Sequence, residues 1–328
     1  MDACIDPDEA GLARAARLLA AGEVVAFPTE TVYGLGADAA RPEAVSRIYA
    51  LKGRPSNHPV IVHLAPGVRI ADWAVDIPAE AGLLGERFWP GPLTLVLRKA
   101  ARVPDSVTGG QATVAIRYPA HPVARALLEA FARIGSGGVA APSANRFGHV
   151  SPTTAQHVRE EFGPSLPLID GGSCDVGLES TIVDLSRGEP VLLRPGGISR
   201  AQLEAALARP LRDRDAGAPR VSGTLEAHYA PRTALSLVAG DALDAAAVRP
   251  DVAILALRGK PPGAHATAWI AAPAEPTRYG HDLYANLRSL DASGANRILV
   301  EAPPAEPAWE AVNDRLRRAA AGSLDDEP

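Results

Sequence analysis

FPTETVYGLG, residues 27–36, is the part of the chain in which reactive side chains are densest. The strand-like residues 23–27 run into Pro28, which has no N–H group to continue a sheet ladder. Two threonine hydroxyls and the Glu30 carboxylate come next, and two glycines close the segment. The pattern therefore predicts a strand end that presents polar groups.

The glycines of this segment fit two further interpretations. Residues 34–39 match the dinucleotide pattern G-x-G-x-x-A, which needs a strand–helix turn and an acidic residue about 20 positions later. Here Pro28 separates the strand from the glycines, no helix is predicted at Gly36, and the expected acidic position falls on residues 52–54, which are Lys, Gly and Arg. The alternative is a tight turn whose glycines have positive φ angles.

On both sides of this segment, up to residue 208, strand patterns are mixed with amphipathic helical ones. Helices are predicted at 8–21, 42–51, 122–133, 153–162 and 199–208, and strands at 23–27, 59–64, 93–97, 112–118, 181–185 and 190–193. The last two strands form a predicted hairpin. Because strands outnumber helices and do not alternate strictly with them, the pattern favours a twisted mixed β-sheet with flanking helices over a doubly wound parallel sheet.

Residues 209–232 are rich in proline, glycine and charge, which predicts a linker. Beyond it, strand and helix patterns alternate, with strands at 235–238, 252–257, 268–271 and 297–300 and helices at 241–248, 279–290 and 309–320. This alternation predicts a small α/β domain with a parallel sheet. The predicted organisation is thus a domain at 1–208, a linker at 209–232 and a second domain at 233–328.

The turn KGRPSNHP, residues 52–59, places Lys52 and Arg54 two positions apart just after a predicted helix. Lysine supplies a point charge and arginine a bidentate fork, and together they suit a polyphosphate. The chain has no G-x-x-x-x-G-K-[ST] sequence, so a nucleotide would not be held by a P-loop. The alternative is a cationic helix C-terminus favoured by the helix dipole.

Four further segments carry polar side chains near strand ends. They are Thr113 with Arg117 on one face of a strand, Ser143 with Asn145 followed by Ser151, Ser180 within the sequence EST, and Arg194 before two glycines. Each alone is more often capping or turn chemistry. Together, hydroxyls, an amide and arginines at strand ends predict a nucleotide-binding cleft.

Composition limits the class of protein. Hydrophobic residues make up 47% and charged residues 22%, which is globular composition, and the net charge of −5 argues against a polybasic nucleic-acid binder. No stretch approaches the roughly 18 apolar residues of a membrane span. The acidic N-terminus lacks signal-peptide features, and two cysteines exclude a disulfide framework. These features predict a cytoplasmic protein.

Six segments occur in the order in which they stand in the YrdC-like family: PTET–VYGLG, KGRP, HPVIVH, PSAN, EST and RPGG. Residues 8–208 therefore resemble this family, which implies its mixed-sheet fold. The sequence His228-Tyr229-Ala230-Pro231 and the domain after it resemble the long, two-domain form, which implies a smaller Rossmann-like C-terminal domain and a linker that closes on the active site. One departure is that Ser222-Gly223-Thr224 stands where that form usually has Ser-Pro-Gly.

The resemblance implies an L-threonylcarbamoyladenylate synthase, a nucleotidyltransferase that converts L-threonine, bicarbonate or CO₂, and ATP into threonylcarbamoyl-AMP and pyrophosphate. Such enzymes begin the formation of N6-threonylcarbamoyladenosine at position 37 of tRNAs that read ANN codons. The threonine-binding residues it implies are Thr31, His63, Arg117, Ala141 and Ser180. The residues it implies around ATP and Mg²⁺ are Lys52, Arg54, His58, Thr113, Ser143, Asn145, Ser151, Arg194 and Tyr229. Lys52 and Arg54 are the expected catalytic cations, and no side chain is expected to ligate Mg²⁺ directly.

The implied partners are the small-molecule substrates and a downstream tRNA threonylcarbamoyl transferase complex. Direct tRNA binding is expected to be weak, and no membrane partner is expected. One alternative is an RNA-binding module, which the acidic net charge disfavours. Another is a carbamoyl transferase of metallo-cofactor maturation, which uses a similar domain together with acylphosphatase-like and zinc-finger segments that are missing here.

Overall fold

The computed structural model describes residues 3–322, which form two compact units. The first unit comprises residues 3–146, 152–175 and 179–224, and the second comprises 147–151, 176–178 and 225–322. The predicted linker, residues 209–232, is thus divided between the two units. Its closure on an active site stays a prediction, as do the predicted domain limits.

One mixed β-sheet is the framework of the first unit. Its strands within the described residues are β1 (Cys4–Ile5), β2 (Val25–Phe27), β3 (Gly34–Asp38), β4 (Ile61–Leu64), β5 (Ala74–Val75), β6 (Leu93–Lys99), β7 (Thr113–Arg117), β8 (Gly138–Ala140), β9 (Leu168–Ile169), β10 (Thr181–Asp184), β11 (Val191–Arg194) and β12 (Arg212–Asp213). They lie in the order β1-β9-β2-β3-β8-β4-β7-β6-β10-β11-β12, and β5 pairs with β6. Strand β7 is parallel to β4 and antiparallel to β6. The predicted mixed sheet is confirmed, as is the β10–β11 hairpin.

Helices flank this sheet as predicted. They are α1 (Glu9–Ala20), α2 (Pro42–Lys52), α3 (Ala79–Phe88), α4 (Asp105–Thr108), α5 (Pro122–Ala132), α6 (Ala155–Phe162) and α7 (Arg200–Leu207). Asp8 caps α1 by accepting a hydrogen bond from the Gly11 N–H at 2.7 Å, and Leu19 of this helix is fully buried. Ser199 and Gln202 form a capping box at the start of α7. The sequence pattern did not predict α3 and α4.

Gly34 and Gly36 lie in strand β3 and have no positive φ angle, so neither a dinucleotide turn nor a tight turn is present. The strand pairs with β2 on one side and β8 on the other. A Cβ atom on Gly36 would lie 2.7 Å from the Phe27 ring and 2.9 Å from the Val139 side chain. Close packing of neighbouring strands, and not backbone conformation, therefore requires glycine at position 36.

The second unit contains a four-stranded parallel sheet. Its strands are β13 (Leu235–Val238), β14 (Val252–Ala256), β15 (Ala268–Ala271) and β16 (Arg297–Glu301), in the order β13-β16-β14-β15. Its helices are α8 (Gly240–Ala246), α9 (Pro276–Asp291) and α10 (Glu310–Gly322). The predicted small α/β domain with a parallel sheet is confirmed. Between residues 3 and 322, every helix is too short or too polar to cross a membrane.

Candidate active site

Three buried polar side chains form a row across the first unit's sheet. His63 in β4 pairs with Arg117 in β7, and Arg117 pairs with Thr94 in β6. Directly paired residues of neighbouring strands project to the same face of a sheet. His63 and Arg117 are each 3% exposed and Thr94 is fully buried, so this face presents a row of polar groups away from bulk water.

The Arg117 guanidinium is held by the polar loop between β2 and β3. Its Nη1 donates to the Thr31 hydroxyl at 2.8 Å, and its Nη2 lies 2.7 Å from the Glu30 carboxylate. Its Nε donates to the Gly91 carbonyl oxygen at 3.3 Å. Burial by itself would raise the pKa of Glu30, but the charge and hydrogen bond of Arg117 bring that pKa below its usual value. Arg117 and Glu30 are therefore a buried ion pair.

His63 is the neutral member of this row. Burial, and then the charge of Arg117, lower the pKa of His63 to about 3. Its ring lies edge-on to Phe27 with the ring centroids 6.3 Å apart. Ala141 follows β8 and donates its N–H to the Ile61 carbonyl oxygen at 2.9 Å, two residues before His63 in β4. At neutral pH this end of the site thus carries one cation, one carboxylate and an uncharged imidazole.

Ser180 joins the row through Thr94, since the two hydroxyl oxygens lie 2.7 Å apart. Arg194, at the end of β11, donates to Ser180 from two nitrogens. Its Nε and Nη2 reach the Ser180 carbonyl oxygen at 3.1 and 2.8 Å, and Nη2 also reaches the Ser180 hydroxyl at 3.2 Å. A residue predicted to bind ATP thus touches one predicted to bind threonine.

Lys52 is buried at the C-terminus of α2, and Gly53 ends that helix with a φ of 63°. The Lys52 ammonium donates to the carbonyl oxygens of Ser143, at 2.7 Å, and Asn145. Burial, and then the charge of Arg54, lower the pKa of Lys52 well below its usual value. Lys52 therefore reaches across to residues 143–145 and does not serve as a cap of its own helix.

Arg54 lies two residues further along and is also buried. Its Nη2 donates to the Pro59 carbonyl oxygen at 2.9 Å and to the Ser222 hydroxyl at 3.1 Å. His58 is half-buried, and burial followed by the charges of Arg54 and Arg220 lowers its pKa. The KGRP turn and the residues that follow it thus bring together two buried basic side chains, Lys52 and Arg54, and a half-buried histidine.

Thr113, the first residue of β7, lines a narrow cavity in the first unit. Ile61 of β4, Ala115 of β7 and residues 220–222 also line this cavity. The backbone of Arg220 is tied to Gln111, whose side chain exchanges two hydrogen bonds with it at 2.7 and 3.0 Å. The segment 220–222 is thereby fixed beside strand β7, which carries Thr113.

Ser151 and Tyr229 belong to the second unit, and their roles beside ATP stay predictions. Tyr229 has a φ of 63° and is almost completely buried. Its ring stacks on Tyr284 at 5.7 Å, and the Arg315 guanidinium lies 5.2 Å from the ring centroid. Contacts within the second unit therefore hold Tyr229 in a left-handed backbone conformation, which few residues other than glycine adopt.

The structure adds three polar residues that the sequence alone did not assign to the site: Glu30, Thr94 and Ser222. Glu30 lies within the sequence PTET, directly before Thr31, a residue expected to bind the substrate threonine, and this position was the available signal. Thr94 had none, because a single hydroxyl in an apolar strand is common. Ser222 was noted only as part of the Ser222-Gly223-Thr224 departure in the linker, which indicated no binding role. Cys174, by contrast, is buried, and burial raises the pKa of its thiol to about 12, which makes it a poor nucleophile.

Comparison with known proteins identifies the family. Residues 17–196 match the Sua5, YciO and YrdC family, which is described as "Telomere recombination". Residues 198–321 match the family described as the C-terminal domain of threonylcarbamoyl-AMP synthase. The two matches follow one another along the chain and together span most of the residues that the structure describes.

Relatives and solved structures agree with these matches. The chain is 39% identical to the threonylcarbamoyl-AMP synthase of Pyrococcus abyssi over 93% of its own length and 92% of the relative's, and 38% identical to that of Bacillus subtilis over 95% and 94%. The crystal structure of P. abyssi Sua5 complexed with L-threonine superposes with a TM-score of 0.87 at 35% identity, covering 98% of both chains. The chain therefore belongs to the threonylcarbamoyl-AMP synthase family of enzymes, in its two-domain form.

Proposed function

We propose that the protein synthesises L-threonylcarbamoyl-AMP and pyrophosphate from L-threonine, bicarbonate or CO₂, and ATP. The contact between Arg194 and Ser180 is the observation that carries this proposal, because it joins the predicted threonine and ATP groups of the first unit. Both substrates must react with each other, so their binding groups have to be adjacent.

Threonine would bind beside the row of polar side chains. Its binding residues would be Thr31, His63, Arg117, Ala141 and Ser180. A guanidinium has five N–H groups. Two of those of Arg117 donate to Thr31 and Gly91, and its Nη2 atom is in ion-pair contact with Glu30. The remaining N–H groups would receive the substrate carboxylate. Because Glu30 balances the charge of Arg117, this pocket has no net charge at neutral pH and suits a zwitterionic amino acid.

ATP would bind at the cations Lys52, Arg54 and Arg194 with the polar groups of His58, Thr113, Ser143 and Asn145. Among residues 3–322, no group of three or more His, Cys, Asp or Glu side chains is arranged to hold a metal ion. The neutral oxygens and cations that are present fit a Mg²⁺ ion that arrives on the phosphates of ATP. When bound there, Mg²⁺ would neutralise negative charge on the leaving pyrophosphate.

The reaction needs positioning and charge neutralisation and no covalent enzyme intermediate. The threonine nitrogen first forms a bond to the carbon of CO₂ as one C=O electron pair moves onto oxygen. The ammonium group gives up two of its three protons to solvent in this step, which leaves a carbamate with one N–H. A carbamate oxygen then attacks the α-phosphorus, and the bond to the bridging oxygen breaks as pyrophosphate leaves. Burial of the site's polar groups would shield the unstable carbamate from water. Lys52 and Arg54 would stabilise the charge that moves onto the leaving group.

The product would serve the formation of N6-threonylcarbamoyladenosine at position 37 of tRNAs that read ANN codons. A downstream tRNA threonylcarbamoyl transferase complex would consume it, and direct contact with tRNA would be weak because the chain is acidic overall. A cytoplasmic location, where ATP, threonine and tRNA are all present, is part of this proposal.

Pyrophosphate release by the purified protein tests the proposal. With Mg²⁺–ATP and bicarbonate, release should depend on L-threonine and should be much weaker with L-serine or L-valine, which lack the methyl or the hydroxyl group. Release without amino-acid selectivity would contradict the threonine pocket. No release from folded protein would contradict the proposed activity.

A further inference from the structure

We propose that Ser222 is a positioning residue that holds Arg54 and Arg194 in the orientation in which they bind the phosphates of ATP. This inference rests on the proposed function, because it concerns the same ATP site. It assigns a role to a linker residue that lies far from both arginines in sequence, at separations of 168 and 28 positions.

The Ser222 side chain closes a triangle of hydrogen bonds with the KGRP turn. Arg54 Nη2 donates to the Ser222 hydroxyl oxygen at 3.1 Å and to the Pro59 carbonyl oxygen at 2.9 Å. The Ser222 hydroxyl donates in turn to the same Pro59 oxygen at 3.0 Å. The serine therefore acts as acceptor and donor at once, which fixes the rotation of its hydroxyl and one edge of the arginine.

The Ser222 backbone makes the second connection. Its carbonyl oxygen accepts from Arg194 Nη1 at 2.9 Å, while the Nε and Nη2 atoms of Arg194 are bound to Ser180. These acceptors are neutral oxygens, so they orient both guanidinium groups without cancelling their charge. One residue thus sets the spacing of two cations, which is what a polyphosphate chain requires.

Ser222 is itself held by contacts that do not involve a nucleotide. Val221 is buried in an apolar cluster with Ile61, Val96 and Val191, among others, and the Arg220 backbone is bound by Gln111. The segment is therefore built into the first unit. This anchoring favours a fixed support for the arginines over a temporary occupant that ATP must displace, and the two roles predict opposite changes in ATP affinity.

The decisive comparison is Ser222→Ala against the wild type, measured both as pyrophosphate release and as the Kd of a Mg²⁺-bound non-hydrolysable ATP analogue. A hydrogen bond to a charged group typically contributes enough that its loss weakens binding about 10-fold. We expect the KM for ATP and the Kd of the analogue to rise by about that factor, while the KM for threonine stays within about 2-fold. Ser222→Thr retains the hydroxyl and should restore most of the affinity.

Thr224→Val is the matched control, because it removes a hydroxyl that bonds to Val221 in the same turn at 2.9 Å. It should leave the ATP affinity and thermal unfolding of the protein close to those of the wild type. An unchanged ATP affinity in Ser222→Ala would overturn the proposal, and a tighter affinity would show instead that Ser222 competes with phosphate. If the wild type binds the analogue but releases no pyrophosphate, the proposed function fails, and the affinities of the variants still decide the role of Ser222.

Discussion

Arg194 donates to Ser180 through a fork in which Nε and Nη2 reach the same carbonyl oxygen, at 3.1 and 2.8 Å. Ser180 in turn is 2.7 Å from the Thr94 hydroxyl, and Thr94 is paired with Arg117 in the sheet. Buried polar contacts thus run from an arginine of the predicted ATP site as far as Thr94, and strand pairing places Thr94 beside an arginine of the predicted threonine site. A substitution at Arg194 should therefore also weaken the binding of threonine near Arg117.

Arg194→Lys should weaken the binding of both substrates. Lysine keeps the charge but cannot donate in parallel to the Ser180 carbonyl oxygen, so Ser180 loses its support. We expect the KM for ATP and the KM for threonine each to rise about 10-fold, the cost of a lost hydrogen bond to a charged group. Steady-state pyrophosphate release with each substrate varied in turn measures both.

Arg212→Lys is the control for this change. Arg212 lies on the neighbouring strand β12, where its exposed side chain pairs with Glu189 at 2.6 Å. Exposed pairs contribute little, so both KM values should match those of the wild type. A rise in the KM for ATP alone in Arg194→Lys would mean that the two substrate groups are not coupled through Ser180.

Glu30→Gln should destabilise the fold and weaken threonine binding. The substitution keeps the shape of the side chain but leaves the Arg117 guanidinium, whose side chain is only 4% exposed, without its buried counter-charge. Breaking a buried ion pair costs about 3 kcal/mol or more, so the urea midpoint should fall clearly. The KM for threonine should rise by at least about 10-fold, with a smaller effect on the KM for ATP.

Glu43→Gln removes a carboxylate from an exposed pair with Arg41 and is the corresponding control. Its free energy of unfolding should stay within about 0.5 kcal/mol of the wild-type value. If Glu30→Gln were as stable as this control and bound threonine normally, the buried pair would have no role in the pocket.

The fold could be predicted from sequence where local pattern and tertiary structure agree. The apolar run in β6 and the alternation in β7 gave strands that the structure bounds within two residues of the prediction. Strand β3 was not predicted, because glycine has a low strand propensity and its presence there depends on contact with Phe27 and Val139. Those two residues come from different strands, so no local pattern could reveal the contact.

The candidate site, like the fold, could be predicted only where a local sequence pattern reveals it. Polar residues at strand ends could be recognised as a group, and Thr31, Arg117, Ser180 and Arg194 do come together in the first unit. The partner of each cation could not be predicted, because it depends on how distant segments are aligned in the sheet. Lys52, for example, binds backbone oxygens of residues 143 and 145, and backbone oxygens carry no sequence signal.

His63 should make the protein less stable in acid. Its pKa is about 3 in the folded state and about 6.5 when exposed, so between these values the unfolded chain binds more protons. The free energy of unfolding should therefore rise with pH in this window, and the stabilisation is lost as the pH falls. One such group changes the free energy of unfolding by at most about 1.4 kcal/mol per pH unit.

Urea unfolding at several pH values between 4 and 6.5 measures this slope in the wild type and in His63→Gln. The variant should show the shallower dependence, whatever its absolute stability, because the titrating group is gone. His281→Gln, at an exposed position of the second unit, should keep the wild-type slope. Equal slopes in all three proteins would show that His63 is not held neutral by burial.

The chain after residue 208 contributes to the first unit, so the point of truncation should decide whether that unit is stable. Leu211 is buried in its main core, strand β12 pairs with β11, and Val221 packs on Ile182 and its neighbours. A fragment ending at residue 224 keeps all three features, and one ending at 208 loses them. Burial of a large aliphatic side chain contributes about 1.5 to 3 kcal/mol, so the shorter fragment should be less stable by roughly 3 to 6 kcal/mol.

Thermal and urea unfolding of the two fragments test this difference, and pyrophosphate release tests what the rest of the chain adds. The fragment 1–224 retains Arg54, Arg194 and Ser222 but lacks Tyr229, so it should bind the ATP analogue while turning over more slowly than the full chain. Equal stability of both fragments would show that residues 209–224 are not part of the first unit's core. Full turnover by the fragment 1–224 would contradict the predicted role of Tyr229 in ATP binding, because the reaction would then proceed without any residue beyond Thr224.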